Sequence, residues 1–329
     1  MVQSVMKSQK VEITHRTIIF TVLFLISLLV LWQLRALILT VFLCFLFMEG
    51  LHPIVNWLEK TKMPRALAIF IVYLFIIAIL SFSVVGVIPD LVEQSTILIK
   101  DLPMALKNID ILGLNFVDFS SQFKILENLP ENITSLVVAI FSNILSIFIF
   151  FVITFYLLLE RKNFDKYLKN IFGQKSLKAI NVFNQLEKRL SMWVGAQLML
   201  MLIIGILSYF GYVIIGVNFA LPLAIIAAIL ELVPNIGPTI ASILAGIFGL
   251  TISPITGVLA VIWGIIVQQL ENNFIVPKIM KEATGINPLI TILLIASGAR
   301  LGGVVGAIIA LPLYITVETI YRALNTDKN

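Results

Sequence analysis

The sequence predicts an all-α, polytopic integral membrane protein with about eight hydrophobic segments. Of its 329 residues, 60% are hydrophobic and only 12% are charged, whereas soluble domains carry roughly 25% charged residues. Several apolar stretches exceed the roughly 18 residues that mark a membrane-spanning helix. Two further segments are longer than one crossing and are interrupted near their middle. These observations together predict a helical membrane protein with two broken segments.

The N-terminal part, 1–88, is predicted to hold three transmembrane helices. Apolar runs cover about 17–34 and 35–48, and Arg35 between them is interpreted as an interfacial turn residue. A third run covers 66–88 after a short polar connection. We expect each run to cross the membrane once.

The middle of the chain places an acidic and a basic segment on either side of a fourth predicted transmembrane helix at 134–159. Segment 89–133 carries seven acidic residues against three lysines, and it is predicted to be extracytoplasmic and amphipathic. Segment 160–193 is basic, and apolar residues at spacings of three or four predict a helix over 175–193. That helix either lies along the inner leaflet or packs on the protein's own cytoplasmic face.

Basic residues indicate the orientation of the chain in the membrane. They cluster in 1–16, 52–65 and 160–191, and lysine and arginine accumulate in cytoplasmic loops. These three regions fall on one side if each of the first four runs crosses once. The sequence therefore predicts a cytoplasmic N-terminus. The net charge of +5 is read as an orientation signal and not as an indication of nucleic-acid binding.

The C-terminal part, 194–321, is predicted to form a core around two broken segments, and a cytoplasmic tail follows at 322–329. The broken segments, 219–250 and 287–317, each have more than 30 residues, where a single crossing needs about 20. Each is either a helical hairpin that enters and leaves on the same side or one long, kinked crossing. Between them lies an apolar run at 255–270.

Each broken segment carries one isolated charge beside its interruption. Glu231 precedes Pro-Asn-Ile-Gly-Pro at 234–238, and Arg300 lies within the glycine-rich stretch 297–303. Paired interrupted segments are typical of transporter binding sites. Backbone groups freed at membrane depth require protein partners or a water-filled cavity. The sequence therefore predicts a solute or ion pathway at the breaks.

Two roles are possible for each of the candidate pathway residues or clusters. The acid at the first break either serves an ion, proton or substrate pathway or caps freed backbone amides. The polar cluster after 255–270 either lines the pathway or marks the membrane boundary. Arg300 either pairs with Glu231 or Glu271, or holds an anionic or polar substrate. The candidates are Glu231, Pro234, Asn235, Gly237, Pro238, Gln268, Gln269, Glu271, Asn272, Asn273 and Arg300.

Enzymatic and metal chemistry are not predicted. No stretch resembles a nucleotide-binding loop, a zinc-binding helix or a nucleophile elbow. The single cysteine, Cys44, excludes an intrachain disulfide. His15 and His52 flank the first hydrophobic segments and are not expected to share a helical face. We therefore expect no catalytic residue, no cofactor and no metal site, and we leave coupling to Na⁺ or H⁺ open.

Several stretches resemble the autoinducer-2 exporter family of membrane transporters. The motifs LPLAIIAAILELVPNIGPTIAS, QQLENNFIVPKIMKEATGINPL and GARLGGVVGAIIALPL carry the resemblance at 221–242, 268–289 and 298–313. MPRALAIF at 63–70 and FYLLLERKNF at 155–164 extend it over most of the chain.

The resemblance implies a secondary transporter of a bacterial-type inner membrane that forms a homo-oligomer, with a pentamer suggested by relatives. The family name comes from export of a small quorum-sensing signal. We therefore expect export of a small polar solute or signal molecule by alternating access. The alternative within the family is a sodium(lithium)/proton antiporter, and the alternative of another class is a non-transporting membrane scaffold or regulator. Expected partners are a small-molecule or ion substrate, the lipid bilayer and further copies of the chain, without nucleic acid.

Overall fold

The structure, a computed structural model, describes residues 15–79, 142–234, 236–283 and 285–325, together with the single positions 81, 89, 135 and 138. The predicted extracytoplasmic segment 89–133 therefore lies outside the described residues, apart from position 89. The helices of the described chain are α1 (His15–Glu59), α2 (Arg65–Ile79), α3 (Ile144–Glu160), α4 (Phe164–Phe172), α5 (Ser176–Ile215), α6 (Ala220–Leu230), α7 (Gly237–Ile252), α8 (Pro254–Leu270), α9 (Val276–Ala283) and α10 (Pro288–Asn325).

Long apolar helices build the described part of the chain, which confirms the predicted fold class. Helices α6 and α7 are apolar but shorter than a full crossing, and α2 is apolar over the residues that the structure describes. Large apolar side chains cover the outer surface, such as Phe20 and Trp32, each 69% exposed. A surface of this kind is stable against lipid and not against water. Four stretches are long and apolar enough to cross a membrane: His15–Glu59, Ile144–Ile215, Pro254–Met280 and Leu289–Ala323.

One helix, α1, covers both N-terminal runs that we predicted as separate crossings. Its 45 residues extend about 67 Å at 1.5 Å per residue, and neither proline nor glycine interrupts the chain from 17 to 48. The interpretation of Arg35 as a turn residue is wrong, because it lies within the helix and its guanidinium stacks 4.0 Å from the centre of the Trp32 ring. The crossing count behind the predicted orientation therefore loses its support, and only the charge pattern remains.

A second long helix, α5, joins the predicted amphipathic helix at 175–193 to the apolar run that follows it. It is uninterrupted over 40 residues and ends at Gly216, whose φ of 81° is a left-handed conformation that favours glycine. Leu190 and Trp193 are buried in a cluster with residues of α1 and α10. Of the two placements left open for the amphipathic helix, the structure favours packing on the protein for this part.

The second broken segment folds back on itself as a hairpin. Within α10, Gly302 and Gly303 leave the helical conformation, and Gly303 has a φ of 62°. The two arms then meet so closely that a Cβ added at Gly298 would lie 2.3 Å from the carbonyl oxygen of Gly306. Eight residues of straight helix would separate the two positions by about 12 Å. The hairpin alternative therefore holds for this segment.

The first broken segment has the same form. A Cβ added at Gly237, the first residue of α7, would lie 2.4 Å from the carbonyl oxygen of Ala227 in α6. Ten residues of straight helix would separate these positions by about 15 Å. Ala227 and Ala241 continue the contact in a buried cluster with Ile204 of α5 and Val267 of α8. The hairpin of α6 and α7 is therefore packed against both neighbouring helices.

Helix α8 connects this hairpin to α5 and confirms the apolar run predicted at 255–270. The Ser253 hydroxyl caps α8 by accepting a hydrogen bond of 3.1 Å from the backbone N–H of Thr256, and Pro254 occupies the first helical position. Helix α8 is attached to α5 by Trp263, whose indole N–H donates to the backbone carbonyl of Leu207 at 3.1 Å.

The hairpin of α10 predicts a short distance between labels on its two arms. Leu293 and Leu313 are exposed on opposite arms, about equally far from Gly303. Spin labels at these positions, in a Cys44→Ala background, should lie less than about 20 Å apart, whereas a straight helix would place them about 30 Å apart. Double electron–electron resonance measures the distance.

A label pair on the uninterrupted helix α5 provides the control. Met192 and Val213 are both exposed and should give about 30 Å. A distance of about 30 Å for both pairs would show that α10 is not folded back.

Candidate functional site

The acid at the first break is fully buried where α6 and α7 meet. Glu231 is 0% exposed, and its backbone N–H donates to the carbonyl of Ala227 at 3.1 Å. Its carboxylate faces the start of α7, since a Cβ added at Gly237 would lie 2.9 Å from Glu231 Oε2. A helix N-terminus carries a partial positive charge that favours an anion. The geometry therefore places a carboxylate at the break beside the start of α7, and both the capping and the pathway alternatives stay open.

The prolines around the break restrict how the chain turns there. Pro238 is buried in the first turn of α7, where its missing N–H is not needed for helical hydrogen bonding. Pro234 lies half-buried in the turn. Asn235 lies outside the described residues, so its predicted role stays a prediction.

A glutamine of α5, which sequence analysis missed, holds the break from the other side. Gln197 is 2% exposed, and its Nε2 donates to the backbone carbonyl of Glu231 at 2.5 Å. The last carbonyls of a helix have no partner within that helix, so this hydrogen bond satisfies one of them. Gln197 Oε1 is buried and has no hydrogen-bond partner in the part of the chain that the structure describes. The signal that could have identified Gln197 is that it is an isolated amide in an apolar run. Such an amide needs a hydrogen-bond partner in another helix.

A chain of hydrogen bonds joins the first break to the second polar cluster. The Thr239 hydroxyl in α7 donates to Gln268 Oε1 at 2.9 Å, and Gln268 Nε2 donates to Glu271 Oε2 at 3.5 Å. Glu271 is fully buried and begins a π-helical turn, Glu271–Ile275. Such turns inside helices are frequent at functional sites. The structure therefore brings Gln268 and Glu271 to the first break.

The outer members of the second cluster fit the boundary alternative better. Asn272 and Asn273 are exposed, and Asn273 Nδ2 donates to Gln269 Oε1 at 3.0 Å. Gln269 is exposed as well, but it lines the cavity beside the break.

A cavity of about 260 Å³ opens between α7 and α8 next to these polar groups. Pockets for drug-sized ligands measure roughly 300–1,000 Å³, so this one suits a smaller solute or an ion. The described residues that line it carry hydroxyl and amide groups and no basic side chain. The lining residues are Thr239, Ser242, Gly264, Ile265, Gln268 and Gln269.

Arg300 does not join the site at the first break. It is exposed near the tip of the α10 hairpin, two residues before Gly302, whereas Glu231 and Glu271 are fully buried. The predicted pairing of Arg300 with either acid is wrong, because among the described residues its guanidinium forms no ion pair. The physical reason is the hairpin, which carries the charge to its tip instead of into the α6–α8 packing.

Apolar helices that fold back on themselves, with buried acids and amides at the break, are typical of membrane transporters. The chain belongs to the AI-2E family: a sequence model of this family, described as AI-2E family transporter, matches residues 18–326. This confirms the resemblance read from the motifs.

Similar proteins align with this chain over most of their length. YueF of Bacillus subtilis (strain 168) is 32% identical over 293 residues, 82% of this chain and 79% of that protein. YrrI of the same organism is 23% identical, covering 84% of this chain and 82% of its own. PerM of Escherichia coli (strain K12) is 22% identical, covering 81% of each. The first two are named as candidate transport proteins and the third as a candidate permease, without a substrate.

Gln197→Leu should destabilise the protein. The substitution keeps roughly the same size, but it removes the donor to the buried carbonyl of Glu231. We expect the free energy of unfolding to fall by about 1–3 kcal/mol, measured by titration with a denaturing detergent. Gln185→Leu, at an exposed position on the same helix, is the control, and it should change stability by less than about 0.5 kcal/mol. Equal stability of the two variants would contradict the role of Gln197 at the break.

Proposed function

We propose that this protein is a secondary transporter that moves a small polar solute or signal molecule out of the cell by alternating access. The supporting observation is the convergence of polar groups on a broken helix. Glu231 and Gln197 meet at the break, and the chain of Thr239, Gln268 and Glu271 borders the cavity beside it. Irregular backbone at membrane depth is tolerated where it lines such a cavity.

The lining of the cavity favours an uncharged or cationic cargo over an anionic one. Hydroxyl and amide side chains supply both donors and acceptors, and two buried carboxylates, Glu231 and Glu271, lie nearby. The basic residue that sequence analysis offered for an anionic substrate, Arg300, is exposed at a hairpin tip instead. A small solute with hydroxyl or carbonyl groups fits these partners.

The mobile unit in this proposal is the hairpin of α6 and α7. It contacts α5 and α8 through small residues, Ala227 and Ala241, and the Gln197 hydrogen bond attaches its break to α5. Small residues allow helices to slide with little change in packing volume. Rocking of this hairpin would open the cavity to one side of the membrane at a time.

A second candidate function is sodium(lithium)/proton antiport. The observation that favours it is the complete burial of Glu231 and Glu271. Ionisable groups inside membrane proteins commonly belong to proton or ion pathways. In this function the two carboxylates bind the proton and the metal cation alternately, and the amides around them hold the desolvated cation.

We further propose that the transporter works as a homo-oligomer, with a pentamer as the starting hypothesis, in a bacterial-type inner membrane. A cytoplasmic N-terminus is part of this proposal and rests on the basic residues of 1–16 and 160–191. The first half of α1 is exposed throughout, from His15 to Leu39. It therefore offers apolar surface to lipid or to neighbouring copies.

Glu231→Gln should lower transport at least about tenfold, equivalent to about 1.4 kcal/mol, because it removes the charge at the break while keeping the side-chain shape. Two assays separate the candidates. Release of a furanone-type signal from expressing cells tests solute export. Sodium- or lithium-driven proton movement in proteoliposomes, followed with a pH-sensitive dye, tests antiport.

Lys188→Gln, at an exposed position on α5, is the matched control and should leave transport unchanged. Loss in one assay alone identifies the cargo class. Full activity of Glu231→Gln in both assays would refute a pathway at the break. Absence of activity of the wild type in both assays would instead favour the non-transporting scaffold.

A further inference from the structure

A buried acid lies outside the candidate pathway, where α1 packs on α5. Glu49 is 0% exposed, and both of its carboxylate oxygens lack a hydrogen-bond partner in the described chain. Ligand atoms of Glu49, His52 and Glu187 lie within 4.8 Å of one another. The backbone carbonyl of Glu49 accepts a hydrogen bond of 3.4 Å from the Ser191 hydroxyl of α5. An ionised carboxylate buried without partners is strongly unfavourable, so this acid requires neutralisation.

The neighbouring charges do not provide that neutralisation. Arg161, in the turn after α3, donates two hydrogen bonds to the two carboxylate oxygens of Glu187. In this bidentate pair, the carboxylate of Glu187 compensates the positive charge of Arg161. Farther along α1, Glu59 pairs with Arg65 and Lys162. An ionised Glu49 would therefore add an uncompensated negative charge beside a neutral ion pair.

A hydrogen-bond relay fixes the proton position on the histidine of this cluster. Arg65 Nη1 donates to Asn56 Oδ1 at 3.0 Å, so the amide nitrogen of Asn56 faces His52 Nε2 at 2.9 Å. Nε2 then accepts, and the neutral ring carries its hydrogen on Nδ1, which lies 3.8 Å from Glu187 Oε1. A metal ion needs the lone pair of Nδ1. A divalent cation would also place two positive charges beside Arg161, so the cluster is poorly suited to metal.

We propose that Glu49 is a proton-binding site that fastens α1 to α5 when it is protonated. The proton comes from bulk water and neutralises the carboxylate, so no ion has to be buried with it. Loss of the proton leaves a charge beside Glu187 and loosens the contact between the two helices. Gln197 lies ten residues beyond Glu187 on α5, about 15 Å along the axis. Protonation at Glu49 thus acts on the helix that holds the first break, although proton binding itself does not depend on the transport function.

The sign of the pH dependence follows from the burial. The folded protein holds a proton that the unfolded chain releases, so stability from this site is complete at low pH and is lost as pH rises through the titration in the folded state. The melting temperature of the wild type in lipid nanodiscs should fall by several degrees between about pH 6 and about pH 9. Glu49→Gln mimics the protonated acid and should make that fall smaller, whereas the contribution of the other buried acids, Glu231 and Glu271, is unchanged.

The control for this experiment is an acid that already has partners. Glu318 forms ion pairs with Arg189 and Arg322, so Glu318→Gln should retain the pH dependence of the wild type. Retention of the full dependence by Glu49→Gln would overturn the proposal. Stabilisation of the wild type by an added divalent cation, lost in Glu49→Gln, would also overturn it and identify a metal site.

Infrared difference spectroscopy gives a readout that does not depend on melting. The difference between the wild type and Glu49→Gln should contain one carbonyl band of a protonated carboxylic acid, which belongs to Glu49. In Glu187→Gln, Arg161 becomes available to an ionised Glu49, so the band should disappear at a lower pH than in the wild type. An unchanged band in Glu49→Gln, or an unchanged midpoint in Glu187→Gln, would contradict proton binding at Glu49.

Discussion

Backbone groups freed inside a membrane must find hydrogen-bond partners within the protein or in a water-filled cavity, and this requirement shapes the C-terminal half of the chain. The turn between α6 and α7 frees such groups. Gln197 donates to one freed carbonyl, that of Glu231, and the Glu231 carboxylate faces the first turn of α7 at Gly237. The amide of Gln197 is thus explained first by satisfaction of the backbone. Thr239 and Gln268, hydrogen-bonded to each other next to the break, line the cavity where a solute can use their polar groups.

Helix α5 links the parts of this structure that matter for function. Near its start, Glu187 pairs with Arg161 beside the buried Glu49. In its middle, Leu190 and Trp193 pack with α1 and α10, and Gln197 then reaches the first break. An uninterrupted helix transmits a displacement along its axis as a rigid element. Both hairpins therefore rest on one support, and the proton-binding site proposed at Glu49 would act on the break through this helix.

Much of this architecture follows from the sequence, and the rest depends on contacts between distant residues. The length of the apolar runs predicted the helices, and the proline and glycine residues predicted both breaks. The isolated charge of Glu231 beside the first break marked it as a site candidate. A hairpin and a kinked crossing share one periodicity, so they are distinguished by contacts between their two arms, those of Gly237 with Ala227 and of Gly298 with Gly306. The charge of Arg35 suggested a turn, but the uninterrupted apolar chain around it continues the helix. The roles of Gln197 and of the cluster of Glu49 with Glu187 could not be predicted, because their partners lie far away in the sequence.

The central claim is that the break between α6 and α7 opens to water on either side of the membrane in turn. The most direct measurement is thiol labelling of Thr239→Cys, in a Cys44→Ala background, with a membrane-impermeant reagent applied from each side in vesicles of both orientations. The account predicts labelling of Thr239→Cys from both sides. Ile243→Cys, one turn further along α7 on an exposed apolar surface that would face lipid, should not be labelled. Protection of Thr239→Cys from both sides, or labelling from one side only, would contradict alternating access at this break.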